Sequence, residues 1–257
     1  MRILFTNDDG VFSPGLRALI LAFAREGDEL FVSAPDAERS GASHSFTMLM
    51  PLRAREVLIP GAEQVPVYAV SGTPVDCVKL AYGNLFPKPD LLISGINLGA
   101  NRGTDIFYSG TVSAAMEGAL LGIPAVAVSN IAWRPQCYEA AVAGARLAAS
   151  LLERMPELRL LNVNAPDLPF AQVRGARITP AGVQEYEARY EERTDPYGQK
   201  YYWAPAGRRN PCRPDDDCDE RWTKEGFIAI TPLATNMTDE GALFRLQALQ
   251  KELTLES

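Results

Sequence analysis

The chain begins with a short apolar run, Ile3, Leu4 and Phe5, that stops abruptly in "TNDDG". A β-prone run ended by a polar turn predicts a central strand of a parallel sheet. Next comes "SPGLRALILAFAREGDE", with Leu16, Leu19, Ile20 and Phe23 on one helical stripe and Ser13 placed before Pro14 as a cap. The two textures then alternate. "ELFVSAP", "VYAVSG", "PDLLISG", "PAVAVS" and "LRLLNVN" read as strands, whereas "TPVDCVKLAYGNL", "TVSAAMEGALLG" and "CYEAAVAGARLAASLLERM" read as helices. Such regular alternation predicts an α/β fold, a three-layer αβα domain with a mostly parallel sheet over residues 1–165.

Beyond residue 165 the pattern changes, and residues 166–257 form a distinct C-terminal region. "RITPAG", "KYYWAPAG" and "FIAITPL" read as antiparallel strands, giving a β-hairpin extension, and "TDEGALFRLQALQKEL" reads as a terminal helix. Between them "RRNPCRPDDDCDERWTKEG" reads as a surface loop or hairpin tip. Its acids, Asp215, Asp216, Asp217, Asp219 and Glu220, are expected on a solvated face. The helix carries Leu243, Phe244, Leu246, Leu249 and Leu253, for which docking within the chain is the ordinary expectation.

With 257 residues the chain has ample apolar content for a core. A net charge of −7 argues against a general binder of nucleic-acid polymers, which needs a basic face. No signal peptide or membrane-length apolar run is visible, so no membrane partner is expected. Cys77, Cys137, Cys212 and Cys218 form no CxxC pair, which favours a reduced, cytoplasmic setting, although Cys212 and Cys218 are close enough in sequence to bridge.

The candidate chemistry gathers at the ends of strands. Neighbouring strand residues point to opposite faces, so Asp8 and Asp9 can serve one site only where the chain has curled into a loop, which Gly10 permits. In open α/β sheets that edge is where ligands bind. "DAERSGASHS", "INLGANRG" and "YSGTVSAA" follow strands or precede a helix on the same edge. Their carboxylate, amide and hydroxyl oxygens suit a hard cation such as Mg²⁺, Mn²⁺ or Ca²⁺. Ser109, Gly110 and Thr111 open a helix, where backbone N–H groups and the helix dipole favour a phosphate. Thr73 and Asp76 are better explained as helix-starting residues, and the lone histidine, His44, as a structural residue.

The ordered set "NDDG", "APDAERSGASHS", "SGTPVDCV", "LLISGINLGANRGTDIFYSGTVSAAMEG" and "ITPL" resembles the SurE family of stationary-phase survival nucleotidases. The likeness is tight over the first half of the chain and looser beyond it. It implies a Rossmann-like core and a metal-dependent phosphomonoesterase, a 5′/3′-nucleotidase, acting on nucleoside 5′- and 3′-monophosphates, with short polyphosphate as a further candidate substrate. It implies one divalent cation per subunit, Mg²⁺ or Mn²⁺, held by Asp8, Asp9, Ser40 and Asn97, with Asp8 and Asp9 as the catalytic pair. Phosphate binding falls on Asn101, Ser109, Gly110 and Thr111, and subunit exchange through the C-terminal region implies a homodimer or homotetramer. The chain departs from the family pattern in the cysteine-bearing stretch from Pro211 to Glu220, and at Asn236, where an acid is expected.

Two rival classes stay open on the residues alone. A serine hydrolase lacks its G-x-S-x-G elbow here and would need His44 as base. A module that binds a nucleotide and a cation without turnover is compatible with this type of fold.

Overall fold

In the computed structural model, residues 1–24, 27–186, 189–204, 208–209, 213 and 216–249 are described. The strands are β1 (Arg2–Thr6), β2 (Glu29–Pro35), β3 (Ala54–Glu56), β4 (Val67–Val70), β5 (Leu91–Leu98), β6 (Ala125–Asn130), β7 (Leu160–Ala165), β8 (Ala176–Ile178), β9 (Glu185–Tyr186), β10 (Glu191–Thr194), β11 (Lys200–Trp203), β12 (Arg208–Arg209) and β13 (Ile228–Pro232). The helices are α1 (Pro14–Phe23), α2 (Pro74–Leu80), α3 (Gly110–Leu120), α4 (Glu139–Arg154), α5 (Asp219–Lys224) and α6 (Glu240–Ala248).

Nine strands form one sheet in the order β3-β4-β2-β1-β5-β6-β7-β13-β8. The run from β4 to β7 is parallel throughout. From β1 the chain winds outward to β2 and β4, then returns to β5 on the other side of β1 and continues to β6 and β7. The winding therefore reverses between β1 and β5. At such a switch point the two outgoing loops diverge and leave a crevice at the carboxyl ends of the strands.

Both faces of the sheet are covered, and the alternation along each strand decides which residue goes where. Ile3 and Phe5 of β1, with Val126 and Val128 of β6, pack on the side of α1 and α4. Leu4, Ala125 and Ala127 face α2 and α3. Helix α4 approaches closely because its inner stripe is Ala140, Ala141, Gly144, Ala145 and Ala148. A β-carbon at Gly144 would lie 2.7 Å from Val163 Cγ1. Ser13 caps α1 as the sequence predicts, and Thr73 with Asp76 forms a capping box on α2.

The sheet extends past residue 165, since β13 pairs antiparallel with β7 and β8 pairs parallel with β13. The β8–β13 pairing is thus parallel where an antiparallel one was expected. A long excursion separates the two strands in sequence, which is what a parallel connection requires. Part of that excursion is the β10–β11 hairpin, every residue of whose strands is exposed.

Three expectations for the C-terminal region are corrected. Asp219 and Glu220 open helix α5 and are buried, not solvated, because they accept hydrogen bonds from backbone and side chains around the loop 102–104. None of the residues of α6 is buried, so its apolar side chains do not dock within the chain. Cys218 is disulfide-bonded while Cys77 and Cys137 are free thiols, which departs from an all-reduced set; Cys212 lies outside the described residues, as do Asp215 and Leu253. Among the described residues, no helix is long and apolar enough to cross a membrane.

Ile230 is fully buried in β13. Ile230→Ala should destabilise the whole protein by about 2–5 kcal/mol, read as one urea transition shifted to a lower midpoint with an unchanged slope. A separate early transition, with the main one unmoved, would show that residues beyond 165 fold independently.

Candidate active site

The reversal between β1 and β5 brings two loops together. At the end of β1 the chain turns through Asn7, Asp8, Asp9 and Gly10, and Gly10 has φ +99°, which lets the strand curl immediately. Buried Asn7 holds the turn, its Nδ2 donating to Gly10 O at 2.9 Å and to Ser13 Oγ at 2.6 Å. At the end of β5 the pairing with β6 shifts register between Ser94 and Asn97. Such a bulge re-aims the residues that follow. Asn97 Oδ1 comes to lie 3.4 Å from the Thr111 hydroxyl oxygen.

Asp8 is buried directly beneath the N-terminus of α3. It accepts the Thr111 hydroxyl, and the backbone amides of Gly110 and Thr111 favour its charged form. A β-carbon at Gly110 would lie 2.9 Å from Asp8 Cβ and Oδ2, so this approach requires glycine. The anion thus sits where the helix dipole and unpaired amides favour it. Asp9 accepts the Leu98 N–H at 3.3 Å. Burial raises both carboxyls above their ordinary range, Asp9 up to about 7, with the neighbouring Asp8 charge as its second cause.

Asp8, Ser40, Asn97, Asn101, Arg102, Tyr108, Ser109 and Trp133 line a cavity of about 390 Å³. Asp9 lines a neighbouring one of about 380 Å³, which shares Ser40, Leu98 and Trp133 with the first. Ser40 is exposed and donates to Glu38 Oε1 at 2.6 Å, so it reaches the site across the cavity rather than by contact with the carboxylates. Ser109 Oγ caps α3 by accepting the Val112 N–H at 3.1 Å. Asn101 is fixed from behind. Its N–H donates to Asn164 Oδ1 at 2.9 Å, its Nδ2 to Ser129 Oγ at 2.9 Å, and its carbonyl accepts from Asn162 and Asn164.

A family model described as "Survival protein SurE" matches residues 3–188. A protein named 5′-nucleotidase SurE from Desulfitobacterium hafniense is 45% identical over 100% of this chain and 99% of its own length. The chain belongs to the SurE family. A second relative of that name, from Synechococcus elongatus, is 40% identical, covering 98% of this chain and all of its own. A solved structure, the SurE protein from Aquifex aeolicus, superposes with a TM-score of 0.82 at 36% identity, covering 97% of this chain and 100% of that one.

In this SurE chain the donor set fits a hard cation. Two carboxylates, an amide oxygen and a hydroxyl are oxygen ligands of the kind Mg²⁺ and Mn²⁺ take. One of the carboxyls is pushed to about 7, first by burial and then by the Asp8 charge beside it, and a bound cation would relieve both. Among the described residues no group of three or more His, Cys, Asp and Glu is placed to hold a metal, so the ligand set would rest on two acids and neutral oxygens. His44 pairs with Glu117, its Nε2 2.9 Å from Oε2, and lines neither cavity, so it is not placed to serve as a serine hydrolase's base there.

Sequence reasoning missed a lock behind the loop 101–105. Asp219 accepts Gly103 N–H at 3.0 Å and Gly182 N–H at 3.1 Å, Arg102 Nη1 donates to Thr223 Oγ1 at 2.6 Å, and the Thr104 hydroxyl donates to Gln184 O at 2.7 Å. Nothing short of the fold places Asp219 beside Gly103. Asp219→Ala leaves two N–H groups without their acceptor and should lower stability by roughly 2–4 kcal/mol, measured by urea unfolding; a change under 0.5 kcal/mol would contradict the lock.

Asp9 yields a pH prediction. A carboxyl raised in the folded state stabilises fully below the unfolded value of 3.8, and that contribution is lost as pH rises through about 7. In chelator the protein should therefore lose up to roughly 4 kcal/mol between pH 4 and 8 from this group. Asp9→Asn should remove most of that loss and melt higher than the native protein at pH 8. An Asp9→Asn protein that melts no higher there would show that Asp9 is not strained by burial.

Proposed function

We propose that this chain is a divalent-metal-dependent phosphomonoesterase that hydrolyses nucleoside 5′-monophosphates, as the names of its relatives indicate for those proteins. The observation that carries the proposal is Asp8. It joins the proposed donor set to the N-terminus of α3 and shares one cavity with Ser40, Asn97, Asn101 and Ser109, while Asp9 opens on the adjoining cavity. Extension to 3′-monophosphates rests on the family resemblance alone.

Asp8, Asp9, Asn97 and Ser40 would hold the cation. When bound, such an ion neutralises phosphoryl charge, orients the ester and lowers the pKa of water. Thr111 gives its one hydroxyl proton to Asp8 and lies against Asn97, so it orients ligands as well as opening the helix. The Ser109 hydroxyl spends a lone pair on the cap and keeps its proton for a phosphoryl oxygen. Asn101 Nδ2 gives one hydrogen to Ser129 and keeps a second for the cavity. A cluster of donors fixed before substrate arrives stabilises the charge that develops on the phosphoryl group. The attacking group is water, since carboxylates engaged as ligands are weak nucleophiles.

The exposed β10–β11 strands and the unburied α6 support a homodimer or homotetramer through the C-terminal region. A cytoplasmic location is part of the same proposal and rests on the sequence.

Phosphate release from AMP with Mg²⁺ or Mn²⁺ should fall more than about 100-fold in Asp8→Asn and Asp9→Asn, and chelator should abolish it. Release that survives chelator and both substitutions would overturn the proposal; nucleotide binding without release would favour the binding-module reading.

A further inference from the structure

The cavity at Asp8 is larger than a phosphate needs, and part of its lining is aromatic. At about 390 Å³ it lies within the range of small-molecule sites, and beyond the phosphate-binding residues it is lined by Tyr108, Ile131, Trp133 and Tyr186. Trp133 is 79% exposed. Its loop is nevertheless tightly held. Asn130 Oδ1 accepts Ala132 N–H at 2.9 Å, Asn130 Nδ2 donates to Cys137 O at 3.0 Å, and the Asp167 carboxylate accepts Gln136 N–H at 2.8 Å and Cys137 N–H at 3.2 Å.

The ring also has a fixed backing. A β-carbon at Gly99, where φ is +105°, would lie 3.3–3.4 Å from indole Cε2, Cδ2 and Cζ2. Cδ2 and Cε2 are the ring-fusion carbons, which can be approached so closely only from a face. Gly99 therefore backs one indole face, and the exposure of the ring leaves the other open. Residue 99 directly follows β5, which also carries Asn97 of the proposed donor set, so the backing of the ring and the reacting centre belong to one segment.

We propose that Trp133 is the platform on which the base of a nucleoside monophosphate stacks, with the phosphate at the α3 end of the same cavity. This deepens the nucleotidase reading and rests on it. A large aromatic face held rigidly in water gains most from a flat apolar partner, and every nucleobase supplies one.

The test compares AMP with ribose 5-phosphate, which has the same sugar and phosphate but no base. In Trp133→Ala the ratio of kcat/KM for AMP to that for ribose 5-phosphate should fall about 5- to 100-fold, chiefly through KM for AMP, and Trp133→Phe should restore most of it. A ratio unchanged in Trp133→Ala overturns the proposal even if turnover drops, since a structural role would affect both substrates alike. A second readout does not depend on turnover. In protein labelled with 5-fluorotryptophan, the Trp133 fluorine resonance, assigned with Trp133→Phe, should shift saturably with adenosine. A resonance that ignores adenosine, or that moves only with protein concentration as a subunit contact would, overturns it. If neither phosphate ester is hydrolysed, the nucleotidase reading fails and the fluorine titration alone decides the platform.

Discussion

Burial of an acidic side chain beneath a helix is the constraint around which this structure is arranged. Asp8 has left water almost entirely, and what it receives in return is the open end of α3 with the Thr111 hydroxyl. That arrangement dictates glycine at 110, a hydroxyl at 111, a strand that curls at Gly10 and a side chain at Asn7 to hold the turn. Asp9 then adds a second acid where the first already raises its carboxyl. A protein selected only for stability would replace one of them. Two neighbouring carboxyls, both raised above their ordinary range by burial, are the kind of cluster that nominates a functional site, and the proposed cation would offset their repulsion.

The topology explains why this happens between β1 and β5. There the two central parallel strands send their chains to opposite sides, β1 toward β2 and β5 toward β6, and the loops diverge. Asp8 and Asp9 come from one strand and Asn97 from its neighbour, with α3 arriving from the loop beyond. The loop that carries Asn101 is in turn locked to α5 through Asp219, Arg102 and Thr223. The cavity wall therefore depends on residues more than a hundred positions away, and the C-terminal region is part of the site's support.

Much of this was legible in the sequence because it is local. Strand and helix periods, the Ser13 and Thr73 caps, the "TNDDG" turn and the "YSGT" helix start all follow from neighbours within four residues. Asp219 and Glu220 were misplaced because a run of acids reads as a solvated face, and nothing nearby announces the amides that bury them. The parallel pairing of β8 with β13 was missed because strand direction depends on the length and route of the intervening chain, not on either strand's residues. Thr111 was expected to grip phosphate, and the added contact to Asp8 is visible only when β1 and α3 are seen to meet. Trp133 had no periodic signal at all, since a single aromatic residue in a polar loop belongs to no pattern.

The central claim is that Asp8 and Asp9 are held together for a cation, and cation binding tests it most directly. Titration of Mn²⁺ followed by electron paramagnetic resonance, without substrate, should show one bound ion per chain, displaced by Mg²⁺, and no comparable binding in Asp8→Asn or Asp9→Asn. Binding that is unaltered in both variants, or no binding by the native protein, would contradict the account.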